Sequence, residues 1–301
     1  MPSFKLGGNY NKPGKGIDKN APPKSRIVVF VERFIEKFWL LVGLNIFFAI
    51  IAMALGAAFL FIYSKTGQLQ LSLIILIPLT IPLCGVTLIT RKVTQDATVF
   101  LFADFKDAIK KNWMQALILG ILDYIFIAVI SVALPFVWDK AKDNTIFFVL
   151  VMLVLSLCLL FLFIQFYCYL MTVTFDLKIK DILKNSLIFS IANFGKNLIM
   201  AIAVIFSGFL ILYGLELVET PIFGGVMIVF LVLIYFSGFS FINNFAVWPK
   251  IEELLIAPQE AEKKKAEAAK KKPDEKAEAN EPEYVFENGR MVKKSSSNKG
   301  V

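Results

Sequence analysis

Residues 146–173 read IFFVLVMLVLSLCLLFLFIQFYCYLMTV, a run without a single Asp, Glu, Lys or Arg. As a helix rising 1.5 Å per residue it is about 40 Å long, enough to cross a hydrocarbon core about 30 Å thick. Helices in water-soluble cores are shorter and keep a polar stripe, which this run lacks. Five comparable stretches accompany it, at 38–63, 69–89, 113–137, 197–217 and 222–247. With 57% hydrophobic residues and a mean hydropathy of +0.68, the chain is too apolar for an ordinary soluble domain. The expected fold class is therefore all-α: a polytopic membrane bundle of six transmembrane helices with short amphipathic cytoplasmic helices.

Lys and Arg are sorted by side. The segment up to Lys37, the connections 91–112 and 174–196, and the tail from residue 248 together hold 29 of the 32. The other three connections hold only Lys65, Lys140 and Lys142. The positive-inside rule then predicts both termini in the cytoplasm, N-in and C-in. Trp39, Trp113, Trp138 and Trp248 stand near span ends, where amphipathic rings anchor at the interface. The expected location is a plasma membrane, with the protein crossing it several times.

The net charge of +8 sits on span flanks, where it sets topology and meets anionic headgroups. It is not read as a nucleic-acid footprint. The polar first 26 residues and the length of the first span argue against a cleavable signal peptide. The chain has no histidine, which removes Ser-His-Asp and Cys-His constellations and most catalytic zinc sites. Cys84, Cys158 and Cys168 lie within spans and are expected to be inert thiols. No Gly-rich phosphate loop is present. The reading is a non-enzymatic protein with no catalytic residues, cofactor or metal.

Residues 1–26 are rich in Gly, Pro, Asn and Lys and are expected to be disordered in the cytoplasm. Residues 27–250 form the six-span domain. It begins with IVVFVERFIEK at 27–37, an amphipathic lead-in along the inner leaflet. Residues 251–301 form a charged, largely disordered cytoplasmic tail, with Ala/Lys/Glu repeats over 259–283. Near its end, Asn288-Gly289 between apolar residues is a hairpin signal, although an isolated hairpin is marginal in water. The alternatives there are a disordered end and a short docking peptide.

Two connections share a pattern. Lys106-Asp107-Ala108-Ile109-Lys110-Lys111-Asn112 and Lys180-Asp181-Ile182-Leu183-Lys184-Asn185 both carry Lys-Asp, two apolar residues, Lys and Asn before a span. Parallel repeats of helical hairpins would produce this, and so would the common demands of a membrane-surface helix. Lys106, Asp107, Lys110, Lys111, Asn112, Lys180, Asp181, Lys184 and Asn185 form a candidate cytoplasmic interaction face. The connections are expected to cap the inner face.

Asp123 is the acid near mid-span, and no Lys or Arg lies at that depth. A charge there costs several kcal/mol unless paired, so the side chain should face the bundle interior. The expectation is a neutral carboxyl hydrogen-bonded to a neighbour. Its role is either proton coupling or substrate contact, or else an interhelical hydrogen bond to a neighbour such as Asn45, Ser131 or Gln165. Asp123, Asn45 and Gln165 are the candidate intramembrane polar site. Pro78, Pro82 and Gly85 interrupt the second span and allow a kink or local unwinding.

The run Pro78-Leu79-Thr80-Ile81-Pro82-Leu83-Cys84-Gly85-Val86-Thr87 continues through Arg91-Lys92 to Phe102-Ala103-Asp104-Phe105-Lys106-Asp107, Lys111-Asn112-Trp113 and Gln115-Ala116-Leu117. Later come Phe175-Asp176-Leu177, Ile182-Leu183-Lys184-Asn185-Ser186-Leu187 and Asn193-Phe194. These stretches resemble the YesL-like family of bacterial membrane proteins, a domain of unknown function, over about residues 30–250. The family's small-residue Ala-Thr signature is poorly kept around Gly85-Val86-Thr87. Because members are often encoded beside sugar ABC-transporter permeases, the resemblance implies an accessory or scaffold role in carbohydrate uptake. The partners implied are the lipid bilayer and sugar ABC transporter subunits. The alternative is a small transporter or channel using Asp123 and the broken second span. An ABC permease ranks last, because the Glu-Ala-Ala then Gly loop signature is missing. Oligomeric state is not legible in the sequence.

Overall fold

The computed structural model describes residues 24–216, 221–264, 284–287 and 290–293. Six helices in it are long and apolar enough to cross a membrane, the number expected from the hydropathy. The chain is an integral membrane protein by this measure. The first element is α1, Arg26–Glu36, capped by the Ser25 hydroxyl accepting from the Val28 amide at 3.4 Å. The first span, α2, runs Phe38–Thr66 and ends on Gly67, whose φ of +64° is the left-handed stop that glycine makes easily.

The second span is broken where its prolines predict. Helix α3, Leu69–Leu73, passes into a 3-10 segment, Ile74–Leu79, and then into α4, Thr80–Thr94. Pro78 cannot donate to the helical ladder, and the tighter winding absorbs the defect. Helix α4 is the hub of the bundle and packs against α2, Phe38–Thr66, and against α5, Leu101–Lys140, α6, Thr145–Thr174, and α10, Phe236–Ile251. Its centre is small: Gly85 lies under the Phe105 ring, and a Cβ there would meet ring carbons at 2.5 Å. The hydroxyls of Thr87, Thr90 and Thr94 bond back to carbonyls one turn earlier, so they can be buried without orphaned donors.

Helix α5 corrects one expectation. The segment 101–112 is not a separate surface helix but the first turns of one 40-residue helix. At about 60 Å it is twice the length a bilayer requires, so its charged beginning extends beyond the hydrocarbon. The second Lys-Asp segment is built differently. It lies in α7, Ile179–Ala192, separated from α8, Phe194–Glu216, at Asn193. There Asn193 Nδ2 donates to the Tyr167 hydroxyl at 3.0 Å, which donates on to Asn197 Oδ1 at 2.9 Å. This buried network pins the α7–α8 corner to α6.

The last span runs through α9, Pro221–Phe230, a π turn at Leu231–Tyr235 and α10. Residues 251–264, assigned above to the tail, continue this helix through a second π turn, Glu252–Ile256. Residues 1–23 and the Ala/Lys/Glu repeats over 265–283 lie outside the described residues. The hairpin signal is matched: Tyr284–Glu287 (β1) pairs antiparallel with Arg290–Lys293 (β2), with Glu287 opposite Arg290. Among the described residues, all six candidate spans are helical. The outer belt of the bundle is apolar and exposed, as at Leu60, Phe136, Phe209 and Leu212, which is the surface lipid would cover.

Candidate functional site

Pro-broken span and mid-span acid meet, although they lie on different spans. Gly120 of α5 packs directly on the 3-10 segment. A Cβ at Gly120 would stand 2.7 Å from Thr80 Oγ1 and 3.0 Å from the Ile77 carbonyl oxygen. Thr80 Oγ1 donates to the Ala116 carbonyl across this contact at 2.9 Å. Beside this contact lies a cavity of about 400 Å³ lined by Ile77, Thr80, Gly120, Asp123, Gln165 and Tyr169 among others. The rest of its wall is apolar and aromatic, including Phe48, Phe161 and Phe236. This is within the usual size range of small-molecule sites, about 300–1,000 Å³.

Asp123 is held from α6. Gln165 Nε2 donates to Oδ1 at 2.5 Å and the Tyr169 hydroxyl donates to Oδ2 at 2.6 Å. Gln165 and Tyr169 are four residues apart and so share one helix face. Each carboxyl oxygen accepts one bond, and further lone pairs remain. Among the described residues no Lys or Arg lines this cavity.

Gln165 was a candidate, and it is a partner of Asp123. Tyr169 was not singled out; its signal was the i+4 spacing from Gln165. Asn45 does not line the cavity. Its amide Nδ2 donates to the Leu231 and Val232 carbonyls at 2.8 and 2.7 Å, and its Oδ1 accepts from the Ser237 amide at 2.8 Å. A π turn strands backbone groups of its own helix, and Asn45 supplies their partners. Its role is architectural. Ser131 also lies elsewhere, accepting from Gln70 at 3.2 Å.

A second cavity of about 250 Å³ adjoins the first, and Leu83, Gln165 and Tyr169 line both. It reaches Ser240, Asn243 and Asn244 on α10. Asn244 Nδ2 donates to Thr90 Oγ1 at 2.8 Å, and Thr90 Oγ1 and Ser240 Oγ lie 2.8 Å apart. Among the described residues, Asn243 Oδ1 and Asn244 Oδ1 are buried with no hydrogen-bond partner. Buried unpaired acceptors are rare in native folds and mark polar positions with spare capacity. From Asp123, polar groups thus lead through Gln165 and Tyr169 to the α4–α10 seam.

On the outer surface of the basic end, Lys106, Asp107, Lys110 and Lys111 are exposed, as are Lys180, Asp181 and Lys184. Asn185 is half-buried. Asn112 is buried and bonds back to the Ala108 carbonyl at 2.9 Å, so it does not belong to that face. Cys84 and Cys168 are buried free thiols and Cys158 is half-buried. No group of three or more His, Cys, Asp or Glu suited to a metal occurs among the described residues. Compared with protein families, curated proteins and solved structures, the chain matches none of them.

Proposed function

We propose that the protein is a membrane carrier whose Asp123 cavity takes a lipophilic cation in exchange for a proton. One observation carries this reading: an acid lies in a cavity of ligand size that no Lys or Arg among the described residues lines. A proton neutralises it when the cavity is empty. A ligand with one positive charge and an apolar body neutralises it when the cavity is full. The aromatic rings Phe48, Phe161 and Phe236 suit such a body, and rings also attract cations. A sugar suits it poorly, because its many hydroxyls would lose water and find few partners on an apolar wall. The test is the binding of tetraphenylphosphonium to the purified full chain as a function of pH. Competition with one proton weakens binding by about tenfold per pH unit on the acid side. Binding that is independent of pH contradicts it.

A second reading is favoured by the exposed charged face of α5 and α7. Here the protein is an accessory or scaffold component beside a sugar ABC transporter, as the YesL-like resemblance implies. Lys106, Lys110, Lys111, Lys180 and Lys184 would dock the partner. Purification of the tagged protein from native membranes tests this: stoichiometric recovery of a permease supports it, and recovery of the chain alone contradicts it. In both readings we place the basic end in the bacterial cytoplasm, supported by the 29 of 32 Lys and Arg on that side.

A further inference from the structure

At the basic end, between α1, the ends of α4 and α6, and α10, lies a cleft of about 810 Å³ that shares no lining residue with the Asp123 cavity. Arg26 and Arg33 enter it from α1 and Arg91 from α4. Each guanidinium is anchored on one backbone carbonyl. Arg26 Nη2 donates to Phe245 O at 2.7 Å, Arg91 Nη1 to Val173 O at 3.3 Å, and Arg33 Nη1 to Thr94 O. Thr94 and Val173 lie at the C-terminal ends of α4 and α6, so capping explains part of the arrangement.

It does not explain the rest. A guanidinium has five N–H groups in a fixed fork, and these three use one each on those carbonyls. Among the described residues, Arg91 Nε is buried without a hydrogen-bond partner. Lys263 adds a fourth cation to the cleft, against the two carboxylates of Glu252 and Glu260. One wall is apolar, formed by Phe175, Phe245 and Trp248, and the Arg26 guanidinium lies over the Phe245 ring at 5.2 Å. Several guanidinium forks lining one cleft match the several oxygens of a phosphate better than a single charged point does.

We infer that this cleft binds a phosphate ester, held by Arg26, Arg33 and Arg91. The same chemistry is presented by an anionic lipid headgroup and by a soluble phosphate.

The full chain in phosphatidylcholine nanodiscs is titrated calorimetrically, at fixed ionic strength, with inorganic phosphate and separately with short-chain phosphatidic acid. Saturable binding is expected, weakened about tenfold or more in Arg91→Gln, and unchanged in Lys142→Gln, an exposed lysine in the turn between α5 and α6. Binding of inorganic phosphate assigns a soluble source; binding of phosphatidic acid alone assigns a lipid. Where Arg91→Gln does not fold, Arg26→Lys, which keeps the charge and loses the fork, replaces it and is expected to weaken binding as well. Saturable binding of neither probe, or equal affinity in the arginine variants and the native chain, overturns the inference.

Discussion

The Tyr169 hydroxyl donates to Asp123 Oδ2 at 2.6 Å, tying α6 to α5 at the depth where lipid tolerates charge least. Gln165 completes the clamp on Oδ1. Removal of the tyrosine hydroxyl leaves Asp123 Oδ2 without its donor in a cavity walled mostly by apolar side chains. Tyr169→Phe is expected to destabilise the protein by about 1–3 kcal/mol, read as a lower melting temperature in detergent. It also gives Asp123 one donor fewer to compete with, so a cation should bind at least as tightly as before. A variant with native stability would mean that the bond contributes nothing.

Gly120 is the contact that lets the broken span approach α5. Its missing side chain leaves room for Thr80, and a methyl there would also press on the Ile77 carbonyl oxygen at 3.0 Å. Gly120→Ala is expected to cost about 1–3 kcal/mol and to reshape the cavity. Gly195→Ala, where no atom lies within 4 Å, is the control and should be neutral or slightly stabilising. Thermal unfolding of both variants checks the pair.

Asn45 serves three backbone groups around the π turn. Asn45→Leu leaves the Leu231 and Val232 carbonyls and the Ser237 amide to find other partners. Hydrogen exchange over 231–237 should rise by about tenfold or more, since each orphaned group costs about 1–3 kcal/mol. Unchanged exchange there would show that the turn holds without Asn45.

Asp104 lies before the membrane-crossing part of α5. Partial burial pushes its carboxyl up, but the Lys92 ammonium at 2.6 Å and the Phe100 amide at 2.8 Å outweigh this and hold it below its ordinary value. A depressed folded-state value stabilises the fold above the unfolded value of about 3.9. That contribution is lost as the pH falls through the depressed value. The α4–α5 corner should therefore loosen on strong acidification, seen as faster exchange over 98–106. Asp104→Asn should be looser at neutral pH and insensitive to that acid step.

How much was legible in the sequence follows from what lipid demands of each residue. The six spans were readable because a bilayer allows no polar face over that length. Pro78 and Pro82 announced the broken helix because proline lacks the donor. Packing order was not readable, since side chains facing lipid and those facing protein are equally apolar. Asn45 and Gln165 looked alike as lone amides, and only the backbone decides that one serves a π turn and the other an acid. The charges of 106–111 suggested a separate surface helix, yet nothing in Leu101–Trp113 stops a helix, so it runs on into the span. Arg26, Arg33 and Arg91 read simply as topology charges, because Arg91 is far from the other two in sequence and joins their cleft only through the fold.

The central claim is that the Asp123 carboxyl exchanges a proton for a cation. Proton release during tetraphenylphosphonium binding tests it most directly, measured with a pH-sensitive dye in weakly buffered detergent solution. The account predicts close to one proton released per cation bound at mildly acidic pH, and none in Asp123→Asn, whose folding is verified by its melting curve. Cation binding without proton release in the native chain, or equal release in Asp123→Asn, would contradict it.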